Sequence, residues 1–117
     1  MPTLERPDKA DGPVVTGFAG RLIKVDGQPR PAGVILTPKS AHDWDGQDFA
    51  RALALDPLPE FLLLGTGERL VRPAPAVLAQ FDSRGIGVEV MDTRAAARAW
   101  GLLRGEGRWI SAALAAL

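Results

Sequence analysis

Two short apolar runs, Phe61-Leu62-Leu63-Leu64 and Ile86-Gly87-Val88-Glu89-Val90-Met91, flank a segment of helical periodicity, and a further helical pattern follows the second run. Strands that alternate with helices pair in parallel, and each parallel pair needs a right-handed crossover that lays its helix on the sheet. This order limits the fold more than any other feature. It calls for an α/β architecture whose largely parallel sheet is covered on both faces. Pro75 to Asp82 supplies the first crossover helix, with Val77, Leu78 and Phe81 as its apolar stripe and Gly85 just beyond its end. Asp92 or Thr93 caps the next helix, which turns Ala96, Ala99, Trp100 and Leu103 inward and breaks at Gly105-Glu106-Gly107.

The first half reads differently. Val14–Phe18 and Arg21–Val25 are short β-branched runs, the second closed by the turn signal Asp26-Gly27. Gln28-Pro29-Arg30-Pro31 predicts an irregular connection, because neither proline can donate to a ladder. Gly33–Thr37 predicts a strand buried on both faces and stopped at Pro38. Trp44 to Phe49 reads as a helix start, with Asp45 as cap, Asp48 in the first turn, and Trp44 and Phe49 as a hydrophobic staple. That helix would bury Phe49, Ala52 and Leu53 and end at Asp56-Pro57. The antiparallel opening hairpin makes the expected sheet mixed. Arg108 to Leu117 stays open: Trp109-Ile110 favours strand, the alanines favour helix.

With 117 residues the chain can hide roughly two thirds of its unfolded surface in one core. The expected organisation is a disordered segment at residues 1–13 and one domain over residues 14–117. Residues 1–13 hold three acids and three prolines and resemble neither a signal peptide nor a mitochondrial presequence. The longest apolar run, Ala112–Leu117, is too short to span a membrane, so a cytoplasmic location is expected. Formal net charge is zero, which excludes a polybasic nucleic-acid or membrane binder acting through bulk charge. The absence of cysteine removes disulfides, thiolate catalysis and thiolate metal sites, and a single histidine removes multi-histidine ones.

Gly65-Thr66-Gly67, directly after a buried strand, is the most suggestive group. A dinucleotide fingerprint would place a third glycine where Leu70 stands and run straight into a helix, which Pro73 and Pro75 delay. Geometry offers more. Gly65–Gly67 and Asp92-Thr93 both sit at carboxyl ends of strands, where open α/β sheets build ligand crevices. If those strands are neighbours, loop and helix N-terminus share a cleft whose amides favour an anion, with Arg69 and Arg72 adding charge. The competing reading makes every one of these residues a turn former or a cap. Glu89, inside a strand made for burial, is either a desolvated general base or the partner of Arg98 or Arg108. His42-Asp43, Asp45 and Asp48 read as a solvated loop ahead of a helix, and Ser40 belongs to no recognisable triad. No catalytic, cofactor-binding or metal-ligating set emerges. Arg94, Arg98, Arg104 and Arg108 cluster around the last helix, where a solvated face is the plainer meaning and RNA binding the weaker one.

The string Gly85-Ile86-Gly87-Val88-Glu89-Val90-Met91-Asp92-Thr93-Arg94-Ala95-Ala96, with Glu106-Gly107-Arg108 after it and Leu63-Leu64-Gly65-Thr66-Gly67 before it, resembles the domain-of-unknown-function 498 family. That family of small α/β proteins includes mitochondrial respiratory complex I assembly factor 3. The likeness covers about residues 14–117. It implies a single three-layer domain with a mixed central β-sheet, helices packed on it and an extra β layer from the N-terminal strands. It also implies that Trp109–Ala115 is a strand. Trp44 matches the family's usual tryptophan ahead of the first helix. Ala97 stands where members commonly carry cysteine, so a thiol role is absent here, and Trp100-Gly101 stand where tyrosine-asparagine is frequent.

The resulting expectation is a non-catalytic binding or assembly protein without cofactor, with a protein partner and no DNA. Its candidate surface is formed by Gly65, Thr66, Gly67, Glu89, Asp92, Thr93 and Arg98. The alternative is an anion-binding protein or small-molecule enzyme that uses the same cleft.

Overall fold

The computed structural model describes residues 12–117, so the expected disorder of residues 1–13 lies outside the described residues except for Gly12 and Pro13. Strands β1 (Val15–Ala19), β2 (Leu22–Val25) and β3 (Gln28–Arg30) form an antiparallel sheet in the order β1-β2-β3. The second sheet contains β4 (Gly33–Leu36), β5 (Ala41–Trp44), β6 (Phe61–Gly65), β7 (Gly87–Met91) and β8 (Ser111–Leu114), ordered β5-β4-β8-β6-β7. Helices are α1 (Ala50–Leu53), α2 (Pro75–Asp82) and α3 (Thr93–Gly105). The fold is the mixed α/β arrangement expected.

Connection geometry explains the layers. From β6 the chain passes through α2 to the parallel neighbour β7, then returns through α3 past β6 to β8. The two steps run in opposite directions along the sheet. Right-handed crossovers therefore place α2 and α3 on opposite faces. Strand alternation then builds two cores. Val34, Leu36, Leu63, Ala112 and Leu114 face α3 and the small sheet, where Ile23, Val25 and Trp100 meet them. Ile35, Leu62, Leu64 and Ala113 face α1 and α2, packing with Trp44, Phe49 and Phe81. The rings of Phe49 and Phe81 meet edge-on with centroids 5.1 Å apart.

The tail segment that composition leaves undecided is the strand β8. It sits between β4, to which it is antiparallel, and β6, to which it is parallel. Ser111-Ala112-Ala113-Leu114 is buried throughout. Small side chains suit a strand covered on both faces, because they let Trp100 on one side and the Phe81 cluster on the other approach the sheet closely.

Four local expectations are corrected. Gln28–Arg30 pairs with β2, Pro29 lying opposite Lys24, because β3 is an edge strand and an edge tolerates a proline. Ala41–Trp44, where His42-Asp43 is expected as loop and Trp44 as part of a helix start, pairs with β4 through a tight turn in which the Thr37 hydroxyl accepts the amides of Lys39 (3.1 Å) and Ser40 (3.0 Å). Helix α1 begins only at Ala50: Asp45 accepts the amides of Gln47 and Asp48, and Asp48 that of Ala50 (each 2.8 Å), so the two acids shape turns before the helix. Leu78 is 36% exposed instead of belonging to the buried stripe of α2, for which Phe81 alone is fully enclosed.

Trp100 is the largest fully buried side chain, and its Nε1–H donates to the Pro13 carbonyl at 3.0 Å. Trp100→Ala is expected to lose about 3–5 kcal/mol of stability through the cavity it leaves, read as a lower urea midpoint with an unchanged slope.

Candidate functional site

Parallel pairing of β6 and β7, with Gly65 opposite Met91, brings the loop after β6 and the N-terminus of α3 side by side. The sequence condition for a shared crevice is met. The Thr66 amide donates to the Met91 carbonyl at 2.9 Å, extending the ladder one residue beyond β6. Asp92 is the cap of α3 and accepts the Ala95 amide at 2.9 Å.

Thr93 is fully buried and joins three segments. Its hydroxyl accepts the Gly67 amide at 2.8 Å and donates to the Ala115 carbonyl at 2.8 Å. Its own amide donates to the Gly67 carbonyl at 2.8 Å. Gly65 has to be glycine for this contact, since a Cβ there would stand 2.9 Å from the Thr93 Cα and 3.0 Å from its hydroxyl. Gly67 holds φ +106°, a left-handed conformation that L side chains rarely adopt. The Thr66 hydroxyl donates to the Arg69 carbonyl (2.6 Å) and accepts the Val71 amide (2.9 Å), fixing the following loop. The amides of Thr66, Gly67 and Thr93 are thus all occupied within the protein, and none of the three is offered to an anion.

The charged candidates separate. Glu89 and Arg98 are both exposed, and the desolvation a general base needs does not exist at Glu89, which lies on the edge strand β7. Neither expected arginine pair of Glu89 is found among the described residues. Arg108 pairs instead with Glu60 at 2.7 Å, where Glu60 also accepts the Trp109 amide at 3.3 Å. Arg94 lies over the Phe18 ring at 5.0 Å. His42, on β5, hydrogen-bonds Ser40 at 2.8 Å, and Asp43 pairs with Arg30 at 2.8 Å. No group of His, Asp and Glu able to hold a metal ion occurs among the described residues.

What the sequence reading missed is an apolar surface beside the loop. Leu70 and Val71 are 64% and 58% exposed; Leu78 faces Leu70 across a hollow of about 380 Å³ that Pro73 and Val90 also line, and Val71 lines a separate hollow of about 260 Å³ with Phe49, Leu64 and Thr66. The signal was present as an apolar Leu-Val pair between Arg69 and Arg72, in a stretch whose prolines forbid a helix.

Comparison with known proteins agrees with this architecture. A family model described as protein of unknown function (DUF498/DUF598) matches residues 15–115. NADH dehydrogenase (ubiquinone) 1 alpha subcomplex assembly factor 3 of Bos taurus is 32% identical over 108 residues, covering 86% of this chain and 59% of that protein. The same-named protein of Mus musculus is 34% identical, covering 86% and 58%. The chain therefore spans about three fifths of the length of these two relatives. A crystal structure from Bordetella parapertussis superposes with TM-score 0.78 at 30% identity, covering 92% of this chain and 98% of that one. A solution structure from Bordetella pertussis, described as a Mth938-like domain, shares the fold with TM-score 0.73 at 23% identity, covering 98% and 89%.

Thr93→Val should cost about 2 kcal/mol or more, because it strands the Gly67 amide and the Ala115 carbonyl, while Thr93→Ser should recover most of it in urea melts. Stability should also fall in acid. The His42 imidazole is held below its ordinary 6.5 by partial burial, then by Arg51 and Arg30. The Asp48 and Gln47 amides hold Asp45 below 3.8, and the Arg108 hydrogen bond holds Glu60 below 4.5. Each group binds protons more readily unfolded, so its contribution is present above the ordinary value and lost as pH falls through the folded one. Thermal melts should decline first below about pH 6.5 and further below about pH 4.5, with no matching decline towards pH 8.

Proposed function

The chain belongs to the DUF498/DUF598 family of proteins of unknown function, and on that premise we propose that it is a non-catalytic binding protein of the assembly-factor kind, which holds a protein partner while a larger complex is built. The relatives named as assembly factors of NADH dehydrogenase point to respiratory complex I as that complex. The observation that carries the reading is the exposed pair Leu70 and Val71, on a loop fixed from below by Thr66. Large apolar side chains with no part in either core, on a loop held rigid, mark a surface meant to be covered.

The remaining candidates take supporting parts. Gly65, Gly67, Asp92 and Thr93 set the loop against α3 and Thr66 fixes its course, while Glu89 and Arg98 are exposed charges on β7 and α3. Residues 14–117 act as one unit, and a cytoplasmic place of work suits this role. No helix among the described residues is long and apolar enough to cross a membrane.

A tagged full chain and its Leu70→Asp/Val71→Asp variant should be compared by pull-down from membrane and supernatant fractions. Both substitutions sit on exposed side chains, so melting temperature should hold within a few degrees. The native chain should recover a defined set of respiratory subunits that the variant loses. Equal recovery by both, or recovery of no defined set, overturns the proposal.

A further inference from the structure

Among the described residues, the edge of the five-stranded sheet at β7 is open. Met91 turns its carbonyl towards β6, where it receives the Thr66 amide. Backbone groups alternate in direction along a strand, so Gly87 and Glu89 also face β6, while Val88 and Val90 turn their N–H and C=O groups outward. No strand of the described residues lies on that side. Two hollows run alongside and meet at Leu78. One, of about 380 Å³, lies at Val90 with Leu70 and Arg72 in its walls; the next, of about 330 Å³, lies at Val88 with Asp82 and Ile86 in its walls. Val88 and Val90 are about 6.6 Å apart along the strand, the spacing of alternate side chains on one face of a paired neighbour. On the opposite face Glu89 is exposed and in no ion pair among the described residues.

We propose that the free edge of β7 takes up an extended segment of a partner protein as a sixth strand, with alternate apolar side chains in the two hollows and a basic side chain between them beside Glu89. This rests on the protein-binding reading above and specifies its mode. Main-chain hydrogen bonds supply affinity in such strand addition, and the pockets and charge supply choice. Charge complementarity selects the occupant. Glu89 asks for a cation at the central position, Asp82 for a basic flank at one end and Arg72 for an acidic flank at the other. A second copy of this chain fits poorly, since two-fold pairing centred on β7 would set Glu89 against Glu89.

The test uses the full chain, isotope-labelled, titrated with the acetylated and amidated peptide Thr-Val-Arg-Val-Thr and followed by amide shifts. The Val88 and Val90 amides should move and saturate, and the Thr-Val-Glu-Val-Thr peptide should bind about fivefold more weakly or worse. Glu89→Lys, an exposed change that spares the fold, should reverse that order. Methylating alternate peptide amides should abolish binding in one phase and spare it in the other. Unmoved β7 amides, equal binding of the two peptides, an unreversed order in Glu89→Lys, or a β7-mediated dimer without peptide overturns strand addition. If the peptides fail while capture still depends on Leu70 and Val71, strand addition falls alone. If the peptides bind with the expected charge order while capture fails, the assembly reading falls and the edge stands.

Discussion

Insertion of β8 between β4 and β6 is the constraint on which the rest of the molecule depends. Without it the β4–β5 hairpin and the β6–β7 pair share no hydrogen bonds, since β8 alone pairs with both β4 and β6. The last strand is thus the hinge between an antiparallel half and a parallel half. Ser111, Ala112 and Ala113 are small because α3 and the Phe81 cluster both press on the strand, and its ends are clasped. At one end the Glu60 amide donates to the Trp109 carbonyl at 2.8 Å, and Glu60 takes Arg108 in a two-toothed pair. At the other, the Ala115 amide donates to the Gly65 carbonyl at 2.9 Å and its carbonyl accepts from Thr93. The exposed Arg108–Glu60 pair contributes little by charge alone. Its use is register: it fixes where β8 enters the sheet.

The candidate surface inherits its shape from that register. Thr93 can bridge Gly67 to Ala115 only because β8 delivers Ala115 beside the loop after β6. A crevice of the kind that binds phosphate in other α/β sheets would need those amides free. Here a buried hydroxyl and the chain's own carbonyls occupy them. These amides serve to hold the loop, and the loop they hold carries leucine and valine into solvent. Asp92 likewise serves the helix it begins.

Legibility in the sequence follows the range of the interactions involved. The β6–α2–β7–α3 succession is readable because its signals are local: an apolar run, a proline at a helix start, a capping acid. Adjacency of Gly65–Gly67 and Asp92-Thr93 is readable on the condition that the two strands are neighbours, since parallel neighbours bring their carboxyl ends together. The strand β5 is not, because Ala41-His42-Asp43-Trp44 is a polar edge entered through a turn without glycine or asparagine. Ser111-Ala112-Ala113-Leu114 has no local preference strong enough to decide it, and the family resemblance supplies what periodicity leaves open. Glu89 misleads for the same reason: strand order makes β7 an edge, and strand order depends on β8. The closing of the amides by Thr93 is a third consequence of the same non-local placement.

Edge position also explains why β7 can be apolar on one face and charged on the other. An exposed strand edge invites indiscriminate pairing, and an outward charge is a common guard against it. Glu89 fulfils that condition on one face, while Val88 and Val90 line hollows on the other. A guard that repels like strands is at the same time a selector for strands of opposite charge. The opposite edge, β5, is built otherwise: Asp43 is engaged by Arg30, and Trp44 turns into the core beside Phe49 with ring centroids 5.3 Å apart. At that edge the strand's charge is already held in an ion pair and its aromatic side chain in the core. The other keeps, among the described residues, an unengaged charge, two hollows, one of them walled by Leu70, and outward backbone groups, and it is there that a partner's chain would complete the sheet.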